Sequence, residues 1–361
     1  MFKLKLYQRY LMRESFAAIF LVLAAFLALF AFFDLINELR NIGKGGYQLK
    51  HALLYVVLSI PGTVYELIPI AALIGSLYAL TTLARHSELT VLRASGLSTR
   101  SLLTTLFRVA GLLALLTLLV GELLVPVSER LAQELWAKAM SKVISQSGFQ
   151  SGLWIKDGHS FINIREATLD AKLNGVRIYK FTHGNVLESV TDVDRAEYQP
   201  PDHWRLTGVI RTTLDGDSAS VQRIDSEEWR SAITPDLLSV LMVLPERMSL
   251  LGLLSYTEHL NDNHQKSERY EVAVWKKIIY PLATLVMVAL ALPFGYSHNR
   301  MGGASLKVFS GVMLGILFYM LNGLFSNLGA INSWPPFASA SAPSAMFFLV
   351  AMGMLWWVER R

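Results

Sequence analysis

The sequence predicts a membrane α-helical protein of six transmembrane helices with one all-β, jellyroll-like domain between the third and the fourth. Three observations predict it. Charge-free apolar runs recur at spanning length, one long insert alternates in short segments between turn signals, and basic residues gather on one side of the apolar runs.

A helix needs roughly 20 residues to cross the hydrocarbon of a bilayer. Ser15 to Phe33 carries no Asp, Glu, Lys, Arg or His and makes the first crossing. The second runs from Leu67 to Ala84 and starts earlier, around Leu53, with Glu66 near an interface. The third spans Leu102 to Val125, where Arg108 is close enough to the start to reach back to headgroups. Ile278 to Tyr296 gives the fourth. From Val308 to Val358 there is no charge or histidine, a run too long for one helix. Asn322, Asn327, Asn332 and Pro335–Pro336 break it into the fifth and sixth, because a turn takes polar or helix-breaking residues. The chain therefore divides into 1–127 with three helices, an insert at 128–270, and 271–361 with three more.

The insert has a different texture. Lys156-Asp157-Gly158-His159 joins a strand from Gly152 to Ile155 with another holding Phe161, Ile162 and Ile164. Leu173-Asn174-Gly175 opens Val176 to Phe181, and His183-Gly184-Asn185 opens Val186 to Val190. Pro200-Pro201-Asp202 leads into Trp204 to Thr213, and Asp215-Gly216-Asp217 into Ser220 to Ile224. Strands at this spacing suggest a sandwich or jelly roll. Glu129 to Ser145 reads as a helix leaving the membrane, and Ser255 to Trp275 as a polar helix returning to it.

Orientation follows from the basic residues near the helix ends. Lys3, Lys5, Arg9 and Arg13 precede the first helix; Arg85, Arg93, Arg100 and Arg108 lie between the second and third; Arg300 and Lys307 lie between the fourth and fifth; Arg360 and Arg361 close the chain. All fall on one side if every helix crosses once, which makes both termini cytoplasmic and puts the insert across the membrane. The first helix lacks a small-residue cleavage site after a short apolar core, so it is read as retained.

Composition bounds the chemistry. The hydrophobic fraction is 53% and the charged fraction 17%, as in a chain mixing spans with a water-exposed part. The net charge of +5 is accounted for by the orientation signals, with no nucleic-acid partner needed. Without cysteine there is no disulfide, thiolate nucleophile or Cys-based metal site. No phosphate loop is present, so the chain by itself is not expected to hydrolyse a nucleotide, and no cofactor or metal is expected on it. Gly43, Gly45 and Gly46 lack strand-to-helix context and read as a loop. His259 and His264 lack the His-Glu-x-x-His pattern and read as a solvated helix face.

One short segment stands out, Arg85 to Ser98 on the cytoplasmic side, a helix at about 84–98. Leu89 and Leu92, with Val91 beside them, gather on one side of it; Ser87 caps its start and Gly96 its end. Such a helix fits docking into a groove of a cytoplasmic partner and fits resting on lipid equally.

At this segment the sequence resembles a known family. Ser87-Glu88-Leu89 with Ala94-Ser95-Gly96 is similar to the coupling helix of the LptF/LptG family, the lipopolysaccharide-export permeases among ABC transporter membrane subunits. Arg9-Tyr10, Gly121-Glu122, Pro126, Gly152-Leu153-Trp154, Lys156-Asp157-Gly158, Trp204-Arg205-Leu206, Thr234-Pro235-Asp236, Arg269-Tyr270 and Trp275 keep the family's order over nearly the whole chain and resemble its LptG branch. The resemblance implies six helices with a periplasmic β-jellyroll, pairing with LptF and two copies of the ATPase LptB, transfer of lipopolysaccharide to LptC, and ATP with Mg at the partner ATPase.

It also implies sites. Glu88 would sit in the ATPase groove, with Arg93, Leu89, Leu92 and Gly96 completing the coupling element. A phosphorylated, multi-acyl lipid calls for cations at the outer-leaflet level. Arg40, Lys44, Arg130 and Lys138 are the candidates there, each taken singly more readily read as a solvated interfacial anchor, while Lys276 and Lys277 add to the rim. A basic position that the family uses in the last turn of helix one is held by Asp34. Lateral entry would pass Phe26, Phe30 and Phe33 on helix one, and Leu314, Phe318 and Leu321 on helix five. The alternative function is ATPase-driven mechanotransmission without a substrate cavity in the membrane.

Overall fold

The computed structural model describes residues 5–359, apart from 45, 97, 148–152, 169–171, 183, 185, 201–202, 216–217, 232, 236–243, 264, 297–303 and 333. The turn expectations at Gly152, His183, Asn185, Pro201, Asp202, Gly216 and Asp217 lie outside these residues. So do His264, Asp236, Gly45 and the basic Lys3, Arg300, Arg360 and Arg361.

Among the described residues six helices are long and apolar enough to cross a membrane. Helix α1, Leu6–Leu39, exceeds its charge-free run at both ends. At 1.5 Å per residue its length is about 50 Å against about 30 Å of hydrocarbon, so its polar ends project on both sides. Helix α2, Leu49–Arg85, runs without a break through Pro61 and Pro69 and is the central post of the bundle. Of its most apolar stretch 83% is covered by the rest of the chain, against 17% for α1. The loop between them turns at Gly43 and Gly46, both at positive φ, and buries Tyr47 against Leu35 and Trp136.

Helix α3 is Glu88–Ala94. Helix α4, Thr99–Leu119, passes through a π-helical turn at Val120–Leu124 into α5, Val125–Ser147. The third span and the helix expected to leave the membrane are therefore one continuous rod. Pro126 stands just after the π turn, whose changed hydrogen-bond register is where a residue without an N–H is tolerated within a continuing helix. Gly121 in the π turn lies flat against Tyr65, whose ring would be 2.6 Å from an added Cβ.

Six strands follow: β1 Leu153–Asp157, β2 Ser160–Thr168, β3 Lys172–Phe181, β4 Leu187–Gln199, β5 His203–Asp215 and β6 Ser218–Arg230. They pair antiparallel in chain order, so the all-β domain is built from one meander. Leu173-Asn174-Gly175 is expected before a strand, and the next strand is expected to end at Val190. The structure has Gly175 inside β3 at φ +64° and extends β4 to Gln199. Polar outward residues such as Asp194 and Arg195 masked that extension. The twisted sheet curls until its ends meet: Ser231, just past β6, donates its hydroxyl to Asp157 Oδ2 at the end of β1, at 2.5 Å. Ile162, Val176, Val193, Leu206 and the fully buried Trp204 fill the inside, with the Trp204 indole donating to the Ile233 carbonyl.

The polar return expected as one helix is two. Helix α6, Leu250–Asp262, ends before α7, Glu268–Tyr296, begins. Helix α6 is a strut. At its foot Glu122 Oε2 accepts from the Leu250 N–H at 3.0 Å. At its far end Asn263 Oδ1 accepts from the Gly158 N–H at 2.8 Å, and the Asn263 carbonyl from Lys156 Nζ at 3.1 Å. Helices α8, Ala304–Asn332, and α9, Pro336–Glu359, complete the bundle. The break falls at Asn332 to Pro336, while Asn322 and Asn327 stay within α8. Helix α7 packs on α2, α4 and α9. Gly311 and Gly315 bring α8 against Leu77 and Ile70 of α2.

Candidate functional site: a cavity and a docking helix

Two places gather the functional candidates, at opposite ends of the bundle. The first is α3, which follows α2 and packs on it. Leu89 is buried in the bundle core and Leu92 packs against it, whereas Val91 is 65% exposed and points elsewhere. The apolar side of this helix is therefore its attachment to its own bundle. Ser87 stands at φ +62° and Gly96 at +96°, so a left-handed residue bounds each end. For Gly96 this is the usual helix stop. Glu88 is half-exposed, and its Oε2 accepts the Tyr10 hydroxyl of α1 at 2.7 Å. The Arg93 backbone is part of α3, and its side chain lies outside the described residues.

The second is a cavity of about 360 Å³ on the β-domain side of the bundle. Tyr65 and Glu66 from α2, Lys276, Lys277 and Tyr280 from α7, Phe318, Tyr319 and Asn322 from α8, and Glu246 and Arg247 from the preceding loop line it. Charge in this wall is tied in place across distant segments. Arg247 Nη1 donates to Glu129 Oε2 at 2.8 Å, and its Nη2 stands 3.6 Å from Glu66 Oε1. The Glu129 side chain is only 3% exposed. Burial pulls the Arg247 pKa down, but the Glu129 and Glu66 carboxylates pull it up further, so the guanidinium holds its proton more tightly than usual. Lys277 pairs with Glu122 at 3.5 Å and donates to the Met248 carbonyl. The Tyr280 hydroxyl donates to the Glu66 carbonyl at 2.6 Å, and its ring lies against Tyr65.

The expected lipid cations are elsewhere. Arg40, Lys44, Arg130 and Lys138 are all exposed, and none lines the cavity. Lys44 Nζ donates to Asn41 Oδ1, and Lys138 pairs with Glu134. Tyr47 packs the loop of Arg40 and Lys44 against Trp136 on α5, the helix that carries the other two, so all four form an outer rim.

Of the apolar candidates, Phe318 lines the cavity and is 1% exposed, meeting Phe347 edge to face. Phe26, Leu314 and Leu321 are partly buried against the core, and Phe30 and Phe33 are exposed. Only 17% of the apolar stretch of α1 and 22% of that of α8 is covered by the chain itself. These are the two helices with the largest unpartnered apolar faces among the described spans.

Sequence reasoning missed Arg247, Glu66, Tyr280 and Asn322 as cavity residues. Glu66 carried the one usable signal, a carboxylate between two apolar stretches. Among the described residues no three His, Asp or Glu side chains gather in a way that suits a metal ion.

Comparison with known proteins extends over this whole architecture. A family model described as lipopolysaccharide export system permease LptF/LptG matches residues 9–358. The lipopolysaccharide export system permease protein LptG of Escherichia coli strain K12 is 33% identical over 351 residues, covering 96% of this chain and 97% of that protein. The protein of the same description from Haemophilus influenzae is 31% identical over 356 residues, covering 98% of each.

Proposed function

The chain belongs to the LptF/LptG family of lipopolysaccharide export permeases, and from that premise we propose how its parts share the work of an ABC transporter membrane subunit. The cavity between α2, α7 and α8 takes part of a lipopolysaccharide drawn from the inner membrane. Helix α3 docks in a groove of a partner ATPase, the role the family gives LptB, and ATP with Mg binds there and not on this chain. Two ATPase copies serve one pair of permease subunits. LptF covers the open faces of α1 and α8, which then form the lateral entry. The β domain lies in the periplasm with both termini in the cytoplasm, and it passes the lipid toward LptC.

The single observation that carries this reading is the cavity, lined by aromatic side chains and by Arg247, Lys276 and Lys277, with Phe318, Tyr319 and Asn322 of the largely uncovered helix α8 in its wall. A lipid with a phosphorylated head and several acyl chains needs that combination. A purely mechanical transmitter needs no such space. The test is a photocrosslinker at Tyr319, which lines the cavity and is 53% exposed, and at Trp154 on β1, in cells with active or inactive ATPase. ATPase-dependent lipopolysaccharide adducts at Tyr319 are the expected outcome. Silence at both positions in an assembled complex would instead support mechanotransmission.

A further inference from the structure

We propose that the cavity contains a binding position for one lipid-borne phosphate, made by the Lys276 ammonium and Arg247 Nη2, with Glu66 as the counter-ion that the phosphate displaces. The inference rests on the reading of the cavity as part of the lipid path.

The cations of this wall are engaged to different degrees. Lys277 is committed, bonded to the Met248 carbonyl and paired with Glu122. Arg247 is held unequally: Nη1 is bonded to Glu129 at 2.8 Å, while Nη2 is ion-paired with Glu66 at the longer distance of 3.6 Å. Lys276 lines the same cavity, and its ammonium makes no hydrogen bond or ion pair among the described residues. Glu246 and Glu66 act on it only from a distance. One ammonium without a partner among the described residues and one guanidinium nitrogen in a loose ion pair therefore line the same cavity. A half-buried ammonium without a bonded acceptor is costly, and an anion relieves that cost.

The acids present set the stoichiometry. Glu66 and Glu246 both line the cavity, so two carboxylates oppose a second anion and the position takes a single phosphate. That phosphate competes with Glu66 for Arg247. The remaining wall suits what a lipid phosphate carries with it: Tyr319 and Asn322 offer polar groups, and Phe318 and Tyr65 offer apolar surface.

The test uses the assembled transporter in maltoside detergent, which contributes no phosphate, and compares binding of bisphosphorylated lipid A with the same lipid dephosphorylated. Wild type should prefer the phosphorylated form about tenfold, the size of one charge-assisted hydrogen bond. Lys276→Gln should abolish the preference while leaving affinity for the dephosphorylated form unchanged, and Lys276→Arg should restore it. Glu66→Gln should tighten binding of the phosphorylated form by removing its competitor. A preference that survives in Lys276→Gln overturns the proposal. Binding of neither form by wild type would instead remove the lipid-path reading itself. Added phosphatidylglycerol and inorganic phosphate separate the sources. Suppression by phosphatidylglycerol assigns the site to phospholipid headgroups, suppression by neither assigns it to lipid A, and suppression by inorganic phosphate alone overturns a lipid-borne ligand.

Discussion

Arg247 holds together three segments that are far apart in the chain. Its guanidinium reaches Glu129 across 118 residues and faces Glu66 on α2. Because the Glu129 side chain is 3% exposed, Arg247→Ala would strand a buried carboxylate, a loss of about 3 kcal/mol for a pair of this kind. Adding Glu129→Gln to that variant removes the stranded charge. The thermal midpoint of the purified protein should fall with the single substitution and recover partly with the second, whereas equal midpoints would show that the tie carries no stability. Glu88 invites a different comparison, because its carboxylate is half-exposed and accepts the Tyr10 hydroxyl. If Glu88 acts on the ATPase, Glu88→Ala should lower ATP-driven lipid release at least tenfold with normal expression. Tyr10→Phe, which removes only the intramolecular bond at an exposed site where water replaces it, should stay within about threefold. Equal losses would mean that the bond to α1 is what matters. Glu88 was legible in the sequence because it sits in a compact local motif. Arg247 was not, since its partners are brought to it only by the folding of the whole bundle.

At the scale of elements, the spans were legible because hydrocarbon excludes charge, and a charge-free run is a local property of sequence. Their true lengths were not, because headgroup-level residues such as Arg9 and Glu38 continue a helix without being apolar. The junction of α4 and α5 shows the same limit: the apolar run ends at Val125, yet the π turn carries the helix through. The curl of the β domain was hidden for another reason, since alternation fixes which face a residue takes and says nothing of how far a sheet bends. Close helix approach is the feature of this bundle most open to a simple test. A Cβ on Gly75 would lie 2.5 Å from the Ile19 Cα, and backbone there has nowhere to retreat. Gly111 has nothing within 4 Å. Gly75→Ala should therefore destabilise by about 2 kcal/mol through overpacking of α1 on α2. Gly111→Ala should be neutral or stabilise slightly, as expected when a helix loses an exposed glycine. Opposite signs in thermal midpoint check the claim, and a neutral Gly75→Ala would place α1 farther from α2.

At the scale of the whole molecule, the question is which way the bundle faces. Six crossings put both termini on one side and the β domain, with its strut α6, on the other. The positive-inside rule then selects the side, counted on residues close to the helix ends. Arg9, Arg13, Arg85, Arg100, Arg108 and Lys307 share the side of α3, while Arg40, Lys44 and Lys50 share that of the β domain. The charges within the β domain do not enter this count, because long domains translocate largely regardless of charge. The chain contains no cysteine, so single thiols report position without background. Ser95→Cys places one beside α3 and Ser218→Cys one at the start of β6, both at exposed residues. With only the outer membrane permeabilised, a charged maleimide should label the thiol at 218 and leave the one at 95 untouched until the inner membrane is opened. The reverse pattern would put α3 in the periplasm, out of reach of any ATPase, and the proposed division of labour between cavity and docking helix would fall with it.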